Sequence, residues 1–288
     1  MEISNNIFLT EKSKDYELLD SGNGEKLERF GEVILRRPDP QVLWDKNLKE
    51  DVWSSADAVF SPSHKWKKKN DFKDEWQIEI DGLSFLLKLF PSKHVGIFPE
   101  QYPNWKWLEE KIKKSNRKIK VLNLFANTGG ASLACAKALA EVVHLDSSKF
   151  AVNFAAKNLK NSNLGDGEVR FIVDDVRKFV EREIRRKNTY DVIILDPPVY
   201  GKGSNKGVWQ IEEDLMPLRK KLQGLISEEP LALLLNGYSS VYSSVTYKNM
   251  LSSTFSGLNG KVSEGELCIK ESSGGRFLSA GIFARIEF

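Results

Sequence analysis

The residues best suited to chemistry are acidic and end apolar runs. Asp146 closes EVVHLD, Asp174 and Asp175 close VRFIVDD, and Asp196 opens the rigid triplet Asp196-Pro197-Pro198 after YDVIIL. A carboxylate about twenty residues after a strand–turn–helix unit can accept both hydroxyls of a nucleoside ribose. Paired acids one strand later suit an adenine amino group, and the two prolines stiffen a turn beside the reacting end of the ligand. The turn that would complete such a site lies in KVLNLFANTGG, residues 120 to 130. Its Thr128, Gly129 and Gly130 allow a sharp bend and present backbone N–H groups at a helix N-terminus. It matches neither G-x-G-x-x-G nor a phosphate loop ending in Gly-Lys-Ser/Thr, and no arginine is placed for a 2′-phosphate. Taken singly, each aspartate could equally cap the helix that follows it. In register, they predict a pocket for one adenosine-like molecule.

Such residues converge only if a scaffold brings strand ends together. From Lys120 onward strand and helix patterns alternate: KVLNL then ASLACAKALA, EVVHLD then SSKFAVNFAAKNLKNSN capped by Ser147, VRFIV then DVRKFVEREIRRK, and YDVIILDPP then IEEDLMPLRKKLQGLI. Strand LALLLN, a polar helix around TYKNMLSS, and strands ELCIK and GIFARIEF complete the chain. Repeated alternation predicts a mostly parallel sheet with helices on both faces, whose ligands bind beyond the carboxyl ends of the strands.

The chain before Lys120 reads differently. Residues from about Asp15 to Phe90 are Trp-rich and Pro-punctuated, which predicts mostly β structure. Asp81-Gly82 between two alternating runs predicts a hairpin. SHKWKKKNDFKDEW, polar and mixed in charge, predicts an exposed loop, read as a solvated connector or a nucleic acid contact. KHVGIFPEQYPNW is a structured crossing and WKWLEEKIKK a short amphipathic helix. The expected organisation is a β-rich domain over residues 1–115, binding substrate or acting as a lid, followed by an α/β domain over residues 116–288.

Composition bounds the function classes. The 288 residues are 41% hydrophobic and 29% charged, as in ordinary globular chains, with a net charge of +3 that permits nucleic acid binding without demanding it. No apolar run reaches a membrane span and the N-terminus lacks a signal-peptide pattern, so a cytoplasmic protein away from membranes is expected. Cys135 and Cys268 share no metal or disulfide spacing, and His64, His94 and His144 show no ligand pattern, so no metal is expected.

NLFANTGG, HLDSS, VDDVRKF and ILDPPVYGKG together resemble the class I S-adenosylmethionine-dependent methyltransferases. More narrowly, they resemble the bacterial large-subunit (23S) rRNA methyltransferases in which a β-rich domain precedes the catalytic fold. KHVGIFPEQ stands where that family carries a stretch near K-x-x-G-x-F-x-x-Q-R, so the similarity spans about two-thirds of the chain. The resemblance implies a Rossmann-like seven-stranded sheet, S-adenosyl-L-methionine as cofactor, and RNA, in particular rRNA, as partner. It implies that Phe125, Ala126, Thr128, Gly129 and Gly130 surround the methionine part of the cofactor, that Asp146 holds the ribose, and that Asp175, with Asp174 or Val176, contacts adenine. Asn123 and Ser147, flanking the turn and the ribose aspartate, are counted with these contacts. Asp196, Pro197 and Pro198 would line the acceptor pocket, Tyr200 would stack on a base, and Phe98 and Gln101 would close over the site.

Departures narrow the expectation. Tyr102 replaces the family arginine after Gln101. Several relatives begin with an RNA-binding PUA domain, for which too little chain precedes the β-rich region. Pyrimidine C5 methylation needs a thiolate to add at C6, and LLLNGYSSVYSS after the fifth strand offers Asn236 and Gly237 with no cysteine. The expected reaction is methyl transfer to nitrogen or oxygen, with Asp196 orienting the nucleophile, the Pro197 and Pro198 carbonyls accepting from an amine, and Lys202 and Lys206 gripping phosphate. Methylation of a small molecule or protein, and a non-catalytic cofactor- or RNA-binding role, are the competing readings.

Overall fold

The computed structural model describes residues 6–164, 168–202, 207–238 and 242–288. The chain divides into two compact units. One comprises Phe8–Tyr102 with Leu267–Ala280, the other Met1–Ile7, Pro103–Glu266 and Gly281–Phe288.

In chain order, β1 (Ile7–Thr10), β2 (Tyr16–Gly22), β3 (Glu25–Phe30) and β4 (Val33–Pro38) precede a short helix α1 (Glu50–Ser54), then β5 (Ala58–Ser61), β6 (Lys65–Lys68), β7 (Glu75–Ile80) and β8 (Leu83–Lys88). Strands β2 to β6 form a five-stranded sheet in sequence order, and β7 with β8 a separate ribbon. The β-rich reading holds. Asp81 and Gly82 turn the β7–β8 hairpin with φ of 53° and 75°, as their side-chain-poor geometry allows. Asn23 and Gly24, at 54° and 77°, do the same between β2 and β3. Lys65–Lys68 of the expected loop SHKWKKKNDFKDEW are strand β6, paired antiparallel to β5. The alternation there is masked because lysine occupies both faces.

The return of Leu267–Ala280 to this unit is secured by buried polar groups. Glu271, 1% exposed, accepts Ser21 Oγ at 2.5 Å, Asn47 Nδ2 at 2.7 Å and Arg276 Nε at 3.0 Å. Beside it the buried Asp20 accepts Trp53 Nε1 at 2.8 Å and Ser273 Oγ at 2.6 Å.

The second unit follows as α2 (Tyr102–Lys114), β9 (Lys120–Leu124), α3 (Gly130–Lys137), β10 (Glu141–Asp146), α4 (Lys149–Asn161), β11 (Val169–Val173), α5 (Val176–Arg185) and β12 (Val192–Leu195). A hairpin of β13 (Tyr200–Lys202) and β14 (Val208–Gln210) leads to α6 (Ile211–Leu222), β15 (Ala232–Gly237), α7 (Ser244–Thr254), β16 (Lys261–Lys270) and β17 (Phe277–Glu287). The sheet order is β1-β16-β17-β15-β12-β9-β10-β11, eight strands where seven were expected, because Ile7–Thr10 adds at the edge. Pairings from β15 to β11 are parallel and β15 with β17 antiparallel. Leu122, Leu124, Ile193, Leu195, Leu233 and Leu235 pack one sheet face against α5, α6 and α7. The alternate residue Asn123 instead reaches Ser132 of α3, so helices cover both faces. Successive connections run outward from β9 on one side and from β12 on the other. That reversal opens a crevice beyond the carboxyl ends of β9 and β12.

Candidate active site

The turn after β9 is built from left-handed residues. Phe125 (φ 57°), Asn127 (φ 47°) and Gly129 (φ 98°) alternate, and only one of them is glycine. A non-glycine residue in this region costs about 1–2 kcal/mol and persists only where neighbours enforce it. Here Ala126 N–H donates to the Leu145 carbonyl at 3.0 Å and Asn127 N–H to Asp146 Oδ2 at 2.9 Å. Gly130 is required for a second reason: a Cβ there would lie 2.3 Å from the Trp105 ring. A Cβ on Gly129 would meet Ala155 and Leu133 at 3.0 Å. The glycines thus serve helix packing as much as ligand approach. Thr128 is buried, its carbonyl accepting Asn158 Nδ2 at 2.9 Å.

Asp146 ties the turn to the next helix. Its Oδ1 accepts Ser148 N–H at 2.8 Å while Oδ2 holds Asn127. Burial pushes this carboxyl above the ordinary aspartate value, against the lowering effect of the Ser148, Asn127 and Ser147 N–H groups. The cap of α4 is Ser148, whose Oγ accepts Ala151 N–H at 3.2 Å, rather than the expected Ser147. The helix starts one residue later because Asp146 fixes the Ser148 amide.

Asp175 caps α5, accepting Arg177 N–H at 2.9 Å and Lys178 N–H at 3.3 Å, and pairs with the Arg177 guanidinium at 2.8 Å. Burial works to raise the Asp175 carboxyl, yet Arg177 and these two amides hold it below its usual value. Asp174 accepts the Asp175 N–H at 2.8 Å and pairs with Arg182. Arg177, which the sequence reading passed over, also reaches Asp214 at 2.9 Å and the Val208 carbonyl at 3.2 Å, tying α5 to the β14–α6 corner.

Phe125, Asp146, Ser147, Asp174, Asp175 and Val176 line one cleft, closed by Pro198, Gly201 and Trp209. Trp209 was missed because nothing local links it to the turn. Its ring packs on Phe125 at 4.7 Å and its Nε1 donates to the Pro198 carbonyl at 2.7 Å. The Pro198 carbonyl keeps a second lone pair, so it and the Pro197 carbonyl both stay available to an acceptor amine. Among the described residues the cleft wall carries three carboxylates, Asp175 paired with Arg177 and Asp174 with Arg182. Such acceptors suit the hydroxyls of a ribose and the amino group of an adenine.

Asp196 follows β12 in register with β15: Leu195 pairs with Leu235, placing Asp196 beside Asn236 and Gly237. There the structure adds Tyr247. It is 2% exposed, and a Cβ on Gly237 would lie 2.4 Å from its hydroxyl. Burial and the neighbouring Asp196 charge both push the Tyr247 hydroxyl upward, so it stays protonated. Tyr200 stands 57% exposed in the β13 strand. Not all expected residues line the cleft. Asn123, 2% exposed, donates to Ser132 Oγ at 2.9 Å, and that oxygen meets His144 Nδ1 at 2.9 Å, an interior polar link beneath the turn. Phe98 and Gln101 belong to the other compact unit, where Phe98 packs on His94 at 5.2 Å and Gln101 is buried. Lys206 lies outside the described residues. Among those described, no three His, Cys, Asp or Glu side chains gather as metal ligands, and no helix is long and apolar enough to cross a membrane.

Comparison with known proteins identifies the family. A family profile for S-adenosylmethionine-dependent methyltransferases matches residues 61–231. A putative ribosomal RNA large subunit methyltransferase of Methanocaldococcus jannaschii is 36% identical over 179 residues, 61% of this chain and 42% of that protein. Ribosomal RNA large subunit methyltransferase I of Aeromonas salmonicida is 33% identical over 127 residues, 43% of this chain and 31% of that one. The match thus covers less than half the length of these curated relatives. A crystal structure of a SAM-dependent methyltransferase from Agrobacterium tumefaciens superposes with a TM-score of 0.93 at 37% identity, covering 98% of this chain and 93% of that one. A putative methyltransferase solved with SAH shares the fold, with a TM-score of 0.73 at 17% identity. The chain belongs to the S-adenosylmethionine-dependent methyltransferase family.

Proposed function

We propose that this methyltransferase modifies a nitrogen or oxygen atom of an RNA base, with ribosomal RNA as substrate, and does so without a cysteine adduct. The observation that carries the choice of atom is the chemistry of the two cysteines. Cys135 is buried in α3, where burial and the Glu109 charge push its thiol upward, and Cys268 is buried in β16. Neither is the exposed thiol that addition to pyrimidine C6 needs. The names of the two curated relatives support rRNA as the substrate class.

The bound cofactor supplies an activated methyl group, so the chain contributes binding, orientation and exclusion of water. Asp146 holds the ribose hydroxyls. Val176, Asp175 and Asp174 form the adenine end, with Phe125 and Trp209 as its apolar walls. Ala126, Thr128, Gly129 and Gly130 face the methionine end. Asp196 orients the acceptor N–H or O–H and receives its proton, while the Pro197 or Pro198 carbonyl accepts from an exocyclic amine. Tyr200 offers an exposed ring on which a splayed base can stack.

The direct test combines mass spectrometry of rRNA nucleosides from a deletion strain with labelling of its total RNA by purified protein. The expected result is one missing methylated nucleoside that the protein restores with labelled cofactor. Label found only in metabolites or protein, with an unchanged nucleoside profile, would overturn the RNA reading.

A further inference from the structure

The β-rich unit carries a cationic strand that the methyl-transfer site does not use. From Ser61 to Asn70 the sequence holds four lysines and no acid. The structure makes Lys65–Lys68 the outer strand of a five-stranded sheet, with β5 as its sole neighbour in that sheet. Lys65, Lys67, Lys68 and Lys69 are all exposed, as is Lys73 just beyond.

These cations are not balanced locally. In the same sheet every lysine and arginine of β3 and β4 has a carboxylate partner: Lys26 with Asp39, Arg29 with Glu17, Arg36 with Glu25 and Arg37 with Glu28. Of the β6 lysines, Lys68 pairs with Asp74 at 2.7 Å. Lys69 donates to the neutral Ser54 carbonyl at 3.2 Å. Among the described residues Lys65, Lys67, Lys69 and Lys73 form no ion pair. Lys65 opens the strand in the left-handed region (φ 60°) with its Nζ 6.0 Å over the Phe60 ring, and Lys67 follows two residues on, at most about 7 Å along the chain, a spacing that lets each meet a different phosphate of an extended single strand.

We propose that the exposed edge strand β6, with Lys65 and Lys67 and continued by Lys69, is a docking surface for the phosphate backbone of single-stranded RNA. The inference rests on the RNA reading above and extends it to a second place on the molecule. Its contacts are backbone contacts. Trp66, the aromatic residue of the strand, is committed elsewhere, its Nε1 donating to the Ser92 carbonyl at 2.9 Å and its ring edge-on to Phe60 at 5.3 Å. Binding here is therefore indifferent to base sequence and sensitive to salt. Edge lysines also deter pairing with other chains, and that simpler role makes a different prediction.

The experiment measures binding of the full chain to a fluorescent oligouridylate across a potassium chloride series, comparing wild type with the Lys65→Gln/Lys67→Gln double variant. Each lost phosphate contact on a single strand flattens the log–log salt slope by about 0.7, so the double variant should lose about 1.4, with affinity roughly tenfold weaker at low salt. Lys65→Arg/Lys67→Arg should keep the wild-type slope. Calorimetry with S-adenosylhomocysteine should give equal affinity for all three proteins, reporting an intact fold. If wild type and the Gln variant bind RNA with the same affinity and slope, the surface proposal is overturned while the RNA reading stands. Greater self-association of the Gln variant with unchanged RNA binding would leave only edge protection. If wild type binds no RNA, both readings fall together.

Discussion

Asp146 shows how one side chain can serve fold and chemistry together. Its two oxygens hold the Asn127 and Ser148 amides, so a ribose bound as proposed would use the remaining lone pairs of a carboxylate already oriented. Asp146→Ala should weaken S-adenosylhomocysteine binding by roughly a hundredfold, from two lost charge-assisted hydrogen bonds. Unchanged affinity by calorimetry would mean that the ribose binds elsewhere. Since burial raises this carboxyl, affinity should begin to fall on acidification at a higher pH than an exposed aspartate would show. Tyr247 gives a sharper test of the acceptor end. Tyr247→Phe removes a neutral hydroxyl facing Asp196 and should lower kcat by roughly tenfold while leaving cofactor affinity intact. Gly237→Ala, which forces that hydroxyl away, should have the same signature. A fall in cofactor affinity with unchanged turnover would assign Tyr247 to packing. Asp146 was legible because a carboxylate ends a patterned strand. Tyr247 was not, since its relevance depends on a glycine ten residues earlier and on which strands are neighbours.

The elements that position these residues are joined by interior polar links. Asn123 of β9, Ser132 of α3 and His144 of β10 form one such link. Burial lowers His144 to about pH 4 from the ordinary 6.5. A histidine depressed in the folded state favours folding fully above its unfolded pKa, because the unfolded chain binds the proton first as pH falls. Stability should therefore decline between about pH 6.5 and 4, by on the order of 3 kcal/mol for this group. Denaturant titrations at several pH values should show the decline, and His144→Gln should flatten it from a lower starting point. A parallel profile in the variant would remove His144 as the cause. At this scale much was readable. The alternation of buried strands and amphipathic helices is local, and so is the Asp81-Gly82 turn. Strand β6 was not, because three lysines in four residues erase the period that betrays a strand, and the cap of α4 moved by one residue because the Asp146 carboxylate holds the Ser148 amide.

At the scale of the molecule, the chain leaves the β-rich unit at Tyr102 and re-enters it for Leu267–Ala280. No composition shift marks that return; it is written in pairings such as Ser21 with Glu271 that only three dimensions bring together. Glu271→Ala should cost about 3 kcal/mol, since it removes the buried carboxylate that Ser21, Asn47 and Arg276 share. An unchanged denaturation midpoint would show that the serines and Asn47 suffice without it. The discontinuity also sets a rule for protein engineering. A β-rich unit cut out as residues 8–102 would lack Glu271, Ser273 and Arg276 and leave Asp20 without them. Grafting it onto another catalytic domain, or exchanging it between relatives, requires that both segments travel together as one two-piece cassette.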